Sequence, residues 1–227
     1  MLRYFLEKGP DRSALFSDLR VWQDTEARKH FQRYPVIYIS FKGVKHAHWK
    51  QAESVLWQTL QEAIQEQRKF LEDPKVDPGL SRLLLAVANG DQAPQAKVLL
   101  QLSQALHQAT GERVVILMDE YDAPLLNAWN YDIKESGYYD EAATWFRSLL
   151  EAALKDNSSL YIAVLTGILR VAKESMFSGL NNVEVYSLLA RDVSEPFGFT
   201  QAEVENLLQL FGRSADLPAV QRWYNGY

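Results

Sequence analysis

The chain has 227 residues, 47% of them hydrophobic, which suits one large domain or one domain with a small appendage. Its formal net charge of -5 argues against a surface that attracts nucleic acid as a whole, although a local basic patch is compatible with it. It has no cysteine, which excludes disulfides, cysteine-ligated zinc and thiol catalysis. No apolar run approaches the roughly 20 residues of a membrane helix, and no signal-peptide pattern opens the chain. We therefore predict a cytoplasmic protein without a membrane partner.

The first half of the chain is predicted to contain one strand and several helices. The β-branched and aromatic run 35–41 is typical of a strand, and it stops at Gly43. Apolar residues at helical spacing predict a long helix from about 48 to 71, which Pro74 ends. Further helical segments are predicted at 1–8, 80–88 and 95–109.

The second half contains two strands whose residues are apolar without alternation. The first, 114–118, ends at Asp119-Glu120, and the second, 160–165, ends at Thr166-Gly167. Strands of this kind are typical of a parallel sheet that helices cover on both faces. Between and after them the pattern predicts a turn-rich loop at 122–137 and helices at 138–155, 200–211 (opened by a capping box) and 218–224.

This order of elements, strand, helices, strand, helix, strand, predicts an α/β fold with a parallel sheet and right-handed crossovers. A weak break near residues 197–199 divides the chain. We predict an α/β core over residues 1–197 and the start of a small helical lid over 198–227.

Acidic residues follow the central predicted strand. In open parallel sheets ligands bind beyond the carboxyl ends of the strands, where Asp119, Glu120 and Asp122 are expected. An apolar strand ending in Asp-Glu is the Walker B arrangement, in which the Asp holds magnesium and the Glu orients the attacking water or accepts its proton. The alternative is that the two acids only mark where a strand leaves the core, because such a string is common.

Two further residues extend this hypothesis. Thr166 ends the next apolar strand, where a hydroxyl can sense the γ-phosphate or the attacking water; the alternative is a strand-end or helix-capping hydroxyl. Arg170 lies one helical turn later and can reach a phosphate; the alternative is a surface salt bridge.

The glycine pattern limits what this sequence can bind. A Walker A loop needs G-x-x-x-x-G-K-[ST], so that backbone N–H groups and a lysine hold the phosphates. None of the eleven glycines is followed by lysine. A G-x-G-x-x-G pattern is missing as well, which disfavours a dinucleotide-binding fold.

Four motifs in order resemble the bacterial AAA-ATPase-like proteins, and the resemblance covers nearly the whole chain. They are VILMDEYDAPL (115–125), LTGILR (165–170), KESMFSGLNN (173–182) and WYNGY (223–227). In that family an ATPase-like domain is typically followed by a PD-(D/E)XK-type nuclease-like domain.

The resemblance implies a P-loop-NTPase-like, three-layer parallel sheet with ATP and Mg²⁺ as cofactors. It implies that Asp119 is the magnesium-site acid, Glu120 the water-activating acid and Thr166 the sensor. Family members carry a Gly-Lys-Thr loop ahead of a stretch similar to residues 1–5. We therefore expect an N-terminally truncated internal fragment with impaired ATP binding and hydrolysis.

Two other constellations are weaker. Asp119 with Asp132 and Lys134 fits a D…D-x-K nuclease pattern, but the second element lies in a string with poor strand character. His46 and His48 suit one face of a strand, yet they have no evident third metal ligand.

Two functions remain open from the sequence. The first is an ATPase-derived domain, in which Thr166 and Arg170 respond to the γ-phosphate. The second is a non-enzymatic interaction module that binds no nucleotide. It is favoured by the apolar surface expected where a first strand would pack, which predicts self-association through an incomplete sheet.

Overall fold

A computed structural model of the chain describes residues 1–91, 95–132, 137–168, 183–187 and 198–224. These residues contain three strands: β1 (Val36–Ser40), β2 (Val114–Asp119) and β3 (Leu160–Leu165). Their helices are α1 (Leu2–Leu6), α2 (Arg20–Gln23), α3 (Thr25–Arg28), α4 (Trp49–Glu66), α5 (Arg68–Leu71), α6 (Pro78–Ala88), α7 (Val98–Thr110), α8 (Ala123–Asp132), α9 (Tyr138–Leu154), α10 (Gln201–Leu210) and α11 (Leu217–Tyr224).

The three strands form one parallel sheet in the order β1-β2-β3, which confirms the predicted α/β class. In the register of the sheet, Ser40 lies opposite Asp119, and Met118 lies opposite Leu165. Because all three strands run in the same direction, their carboxyl ends meet at one edge. That edge is where the sequence places its acidic residues.

The central and outer strands differ in burial. The five apolar residues of β2, from Val114 to Met118, are at most 6% exposed, as expected for a strand with a neighbour on each side. In β3, Tyr161 is 41% exposed and Ile162 is 48% exposed. The prediction of a strand buried on both faces is therefore confirmed for β2 but not for β3.

The two faces of the sheet are covered unequally by the described residues. Alternate strand residues, such as Ile39 and Ile116, join a large buried cluster formed with α4, α6, α7 and α9. The opposite face has a small cluster of Tyr34, Val36, Val115 and Leu117, against which Leu6 packs. Successive side chains of a strand point to opposite faces of the sheet. One face therefore packs against the helices of the large cluster, and the other packs against the segment that contains α1.

The predicted long helix at 48–71 is present but broken. It forms α4 and α5, which are separated at Gln67. The Gln67 side chain is buried, and its Nε2 donates to the main-chain oxygen of Val36 at 3.1 Å. The break between the two helices therefore allows the buried Gln67 side chain to donate a hydrogen bond to the carbonyl of the first residue of β1.

The predicted loop at 122–137 is wrong for its first part, because residues Ala123–Asp132 form α8. Pro124 is tolerated there since it lies in the first turn, where N–H groups have no partner within the helix. Leu125 and Ala128 are buried in the large cluster. Asn127 is not a turn residue: its Nδ2 donates to the His46 main-chain oxygen at 2.6 Å. Tertiary packing overrides the turn-like composition.

The chain divides into two compact units, Met1–Asn181 and Asn182–Tyr227. The predicted capping box of α10 is confirmed, since the Glu203 N–H donates to Thr200 Oγ1 at 3.3 Å and the Thr200 N–H donates to the Glu203 carboxylate at 2.8 Å. The predicted division at residues 197 and 198 stays a prediction, because 188–197 lie outside the described residues. In the described part of the chain, no helix combines the length and apolar character that crossing a bilayer requires.

Candidate functional site

A direct side-chain contact joins the ends of β2 and β3. The Thr166 Oγ1 hydroxyl donates to Asp119 Oδ1 at 2.6 Å. The backbone holds this pair in place, because the Thr166 N–H donates to the Met118 carbonyl at 2.9 Å. Two residues that are 47 positions apart in the sequence thus meet at the carboxyl edge of the sheet, as the strand pattern predicts.

Asp119 is fixed on its other side as well. It lies opposite Ser40 of β1, and its main-chain oxygen accepts the Phe41 N–H at 3.0 Å. The side chain is half-buried, and among the described residues its Oδ2 has no hydrogen-bond partner. One carboxylate oxygen is therefore positioned by Thr166, and the other is available to a cation.

Glu120 has a left-handed backbone conformation, with φ of 52°. This conformation costs a residue with a Cβ about 1 kcal/mol, so it persists only where the surrounding structure imposes it. Here it lets the chain turn from β2 into α8, and the Ala123 N–H donates to the Glu120 carbonyl at 3.1 Å. The strained residue stands directly beside Asp119.

Asp122 has a structural role that the sequence did not reveal. It is 1% exposed, and its Oδ2 accepts the Ile168 N–H at 2.8 Å. The loop after β3 approaches so closely that a Cβ added at Gly167 would lie 2.7 Å from Asp122 Oδ1. Through the hydrogen bond from Ile168, Asp122 links the start of α8 to the loop that contains Thr166. The one sequence signal for this was the glycine directly after Thr166.

Tyr121 packs in the same region and is buried. Burial raises the pKa of Tyr121, and the negative charge of Asp122 raises it further. The main-chain N–H of Tyr121 donates to the Thr166 carbonyl at 3.1 Å. The neutral phenol ring thus packs close to Gly167, which directly follows Thr166.

At this edge, Asp119 is the side chain that could bind a metal ion. Within the described ranges, no three His, Asp or Glu side chains are grouped closely enough to hold a metal ion. Magnesium in phosphate-binding sites commonly takes only one or two carboxylates, with water and phosphate oxygens completing its shell. A single half-buried carboxylate with an available oxygen fits that requirement.

The predicted histidine pair lies in the loop between β1 and α4, not on a strand. The main-chain oxygen of His46 accepts from Tyr138 Oη at 3.0 Å, in addition to Asn127. These bonds attach the loop to α8 and α9.

A family model described as "Predicted AAA-ATPase" matches residues 1–177, which are more than half of the chain. The chain belongs to this AAA-ATPase-like family.

One relative of this AAA-ATPase-like chain is an uncharacterized protein in the vnfD 5' region of Azotobacter chroococcum mcd 1. The two are 32% identical over 127 residues, which are 56% of this chain and 24% of the relative. The match thus spans about a quarter of the relative's length. No solved structure matches this chain.

The structure brings together most of the residues predicted for the AAA-ATPase-like site. Asp119 and Thr166 are in contact, and Glu120 follows Asp119. Arg170 lies outside the described residues. The nuclease pattern requires its second acid on a neighbouring strand, but Asp132 is the last residue of helix α8. Lys134, the third residue of that pattern, lies outside the described residues.

Proposed function

We propose that this chain is the magnesium- and water-handling part of a P-loop-type ATPase domain, located at the carboxyl edge of the sheet. The observation that carries this proposal is the 2.6 Å contact between Thr166 Oγ1 and Asp119 Oδ1. It joins the ends of two adjacent parallel strands, the place where such sheets bind ligands. Membership in the AAA-ATPase-like family supports it.

Each residue has a distinct role in this proposal. Asp119 would hold magnesium through its available Oδ2, directly or through water. Glu120, turned by its left-handed backbone, would orient the attacking water or accept its proton. Thr166 and Arg170 would respond to the γ-phosphate. Magnesium bound here would neutralise charge on the phosphates of ATP.

The missing phosphate loop limits the expected activity. The backbone cradle and lysine of G-x-x-x-x-G-K-[ST] supply much of the affinity for phosphates in this class. These 227 residues do not contain that sequence. We therefore expect weak ATP binding and impaired hydrolysis by this chain, with Asp119 contributing what remains.

Thermal unfolding tests this proposal directly. The chain and its Asp119→Asn variant are heated with Mg²⁺ alone, ATP alone and both together. A site filled at one hundred times its Kd gains about 2.7 kcal/mol, so weak binding should give a smaller rise in Tm. We expect the rise to need both ligands and to disappear in Asp119→Asn. No rise at millimolar ATP and Mg²⁺ would overturn nucleotide binding by this chain.

A second variant separates the two acids. Glu120→Gln keeps a polar side chain of similar size, so the rise in Tm should remain while any turnover is lost. Turnover at the wild-type rate in Glu120→Gln would remove Glu120 from the proposed role.

The alternative function is an interaction module, which the exposure of Tyr161 and Ile162 on β3 favours. In the described residues β3 pairs only with β2, and an open strand edge promotes association between chains. This alternative predicts self-association that Ile162→Lys reduces, because a charge on an edge strand opposes pairing. Light scattering that shows a monodisperse monomer at high concentration would contradict it.

A further inference from the structure

A pocket of about 450 Å³ lies at the opposite, amino-terminal edge of the sheet. Its walls come from residues that precede or open the strands. Tyr34 precedes β1, Arg113 directly precedes β2, and Tyr161 is the second residue of β3. Five residue steps of β2 separate this edge from Asp119, which is roughly 17 Å at 3.3 Å per residue. The pocket is thus distinct from the Asp119–Thr166 pair.

Tyr34 makes one wall of the pocket rigid. It is buried, and its N–H donates to the Leu6 carbonyl at 3.0 Å. Its hydroxyl lies 2.6 Å from His30 Nδ1, and its ring stacks on Tyr161 with centroids 4.6 Å apart and planes at 16°. The stacked pair is therefore fixed by backbone and side-chain bonds before any ligand arrives.

Two arginines lie against this aromatic pair. The Arg33 guanidinium is 5.5 Å from the Tyr34 ring centroid, and that of Arg113 is 5.6 Å from the Tyr161 ring centroid. A guanidinium stacked on a ring presents its N–H groups at its edges, where they can donate to oxygens in pairs. Each arginine thus lies over one ring of the stacked tyrosine pair.

The balance of charge in the pocket is positive. Arg33 pairs with Glu112 at 3.4 Å, whereas Arg113 has no carboxylate within salt-bridge distance among the described residues. His30 and His107 also line the pocket. The chain as a whole has a formal net charge of -5, so the excess of arginine over carboxylate is a local property of this edge.

We propose that this pocket binds a small phosphate-bearing anion, held mainly by Arg113 and supported by Arg33. The planar donor fork of arginine matches phosphate oxygens in pairs, and the charge-assisted bonds are the stronger kind. The volume of about 450 Å³ lies in the range of small-molecule pockets and leaves room beyond one phosphate group. The ligand is therefore a diphosphate-sized inorganic anion or a nucleoside monophosphate.

Titration calorimetry with pyrophosphate and with AMP, both without divalent cations, tests the proposal. Arg113→Gln removes the main proposed donor and should lower the affinity at least tenfold. Glu112→Gln removes the competing carboxylate and should raise it severalfold. Arg20→Gln, an exposed arginine of α2 away from the pocket, makes the same change in net charge and should leave the affinity unchanged. Circular dichroism and Tm confirm that each variant is folded.

The outcomes separate the ligand sources and the two sites. Arg113-dependent binding of AMP above that of pyrophosphate supports a nucleotide ligand, and the reverse order supports an inorganic one. Binding of neither at millimolar concentration overturns the proposal, and so does an equal loss in Arg20→Gln and Arg113→Gln. Without a divalent cation, the Asp119 carboxylate opposes an anion at the carboxyl edge, so Asp119→Asn would raise the affinity if the ligand bound there. A change of affinity in Asp119→Asn, in either direction, would assign the signal to the carboxyl edge and overturn the proposal.

Discussion

The two ends of the parallel sheet carry opposite charge, although the same three strands build both. At the carboxyl end, Asp122 accepts a hydrogen bond from the Ile168 backbone, and Oδ2 of Asp119 has no hydrogen-bond partner among the described residues. At the amino end, Arg33 is paired with Glu112, and Arg113 lacks a carboxylate partner among the described residues. At each end, then, one charged side chain is paired within the fold, and a neighbouring one is the group that we propose binds a ligand. Charge counts along the sequence cannot make that distinction.

The largest expected loss of stability comes from adding a Cβ at Gly167, at the carboxyl end of the sheet. In Gly167→Ala the new Cβ would lie 2.7 Å from Asp122 Oδ1 and 2.9 Å from Tyr121 Cε1. The buried Asp122 carboxylate cannot move aside without losing its bond to Ile168. We expect a loss of about 1–3 kcal/mol in the free energy of unfolding, measured by urea denaturation.

Gly43→Ala is the matched control, because nothing lies within 4 Å of a Cβ added there. It should change stability by less than about 0.5 kcal/mol, or raise it slightly through the unfolded chain. Equal destabilisation by the two variants would show that the loop after β3 does not pack on Asp122.

The amino end should respond to alkaline pH through Tyr34. Burial, followed by the neighbouring Tyr161 hydroxyl, raises the pKa of Tyr34 from 10.0 to about 12. The unfolded chain therefore releases this proton at lower pH than the folded protein does. The stabilising contribution is complete below pH 10 and is lost as the pH rises through about 12.

Urea unfolding of the wild type and of Tyr34→Phe between pH 9 and 12 compares the protein with and without this phenol. The wild type should lose more stability over that range. Parallel pH curves for the two proteins would mean that Tyr34 is not shielded as the structure indicates.

The smallest expected effect is at Glu120, and it separates stability from function. Glu120→Gly relieves the left-handed backbone, so the free energy of unfolding should stay the same or rise by up to about 1 kcal/mol. Glu120→Ala keeps the strain and should not gain. A clear loss of stability in Glu120→Gly would show that the side chain supports the fold.

Parts of this structure follow from local sequence pattern. The unbroken apolar run of β2 and the helical spacing in α4, α7 and α9 are strong signals because burial repeats along them. The position of Asp119 and Thr166 at one edge followed from a general property of parallel sheets, whose carboxyl ends share that edge. The hydrogen bond between the two side chains was not predicted.

Other features depend on contacts that a single sequence does not encode locally. The helix α8 was missed because Asn127 and Asn130 suggest turns, while the burial of Leu125 and Ala128 depends on distant helices. The bond from Ile168 to Asp122 joins two loops 46 residues apart. The pocket at the amino edge was missed for the same reason, since Arg33 and Arg113 meet only through the register of β1 with β2.

We propose that Asp119, positioned by Thr166, binds a divalent cation at the carboxyl edge. Mn²⁺ shares the charge and oxygen preference of Mg²⁺, and its paramagnetism broadens nearby NMR signals. In a chain labelled at threonine methyl groups, Mn²⁺ should broaden the Thr166 signal far more than that of Thr110 at the other end of the sheet. Asp119→Asn should abolish this broadening, whereas Asp140→Asn, an exposed acid in α9, should retain it. Equal broadening of Thr166 in the wild type and in Asp119→Asn would contradict the account.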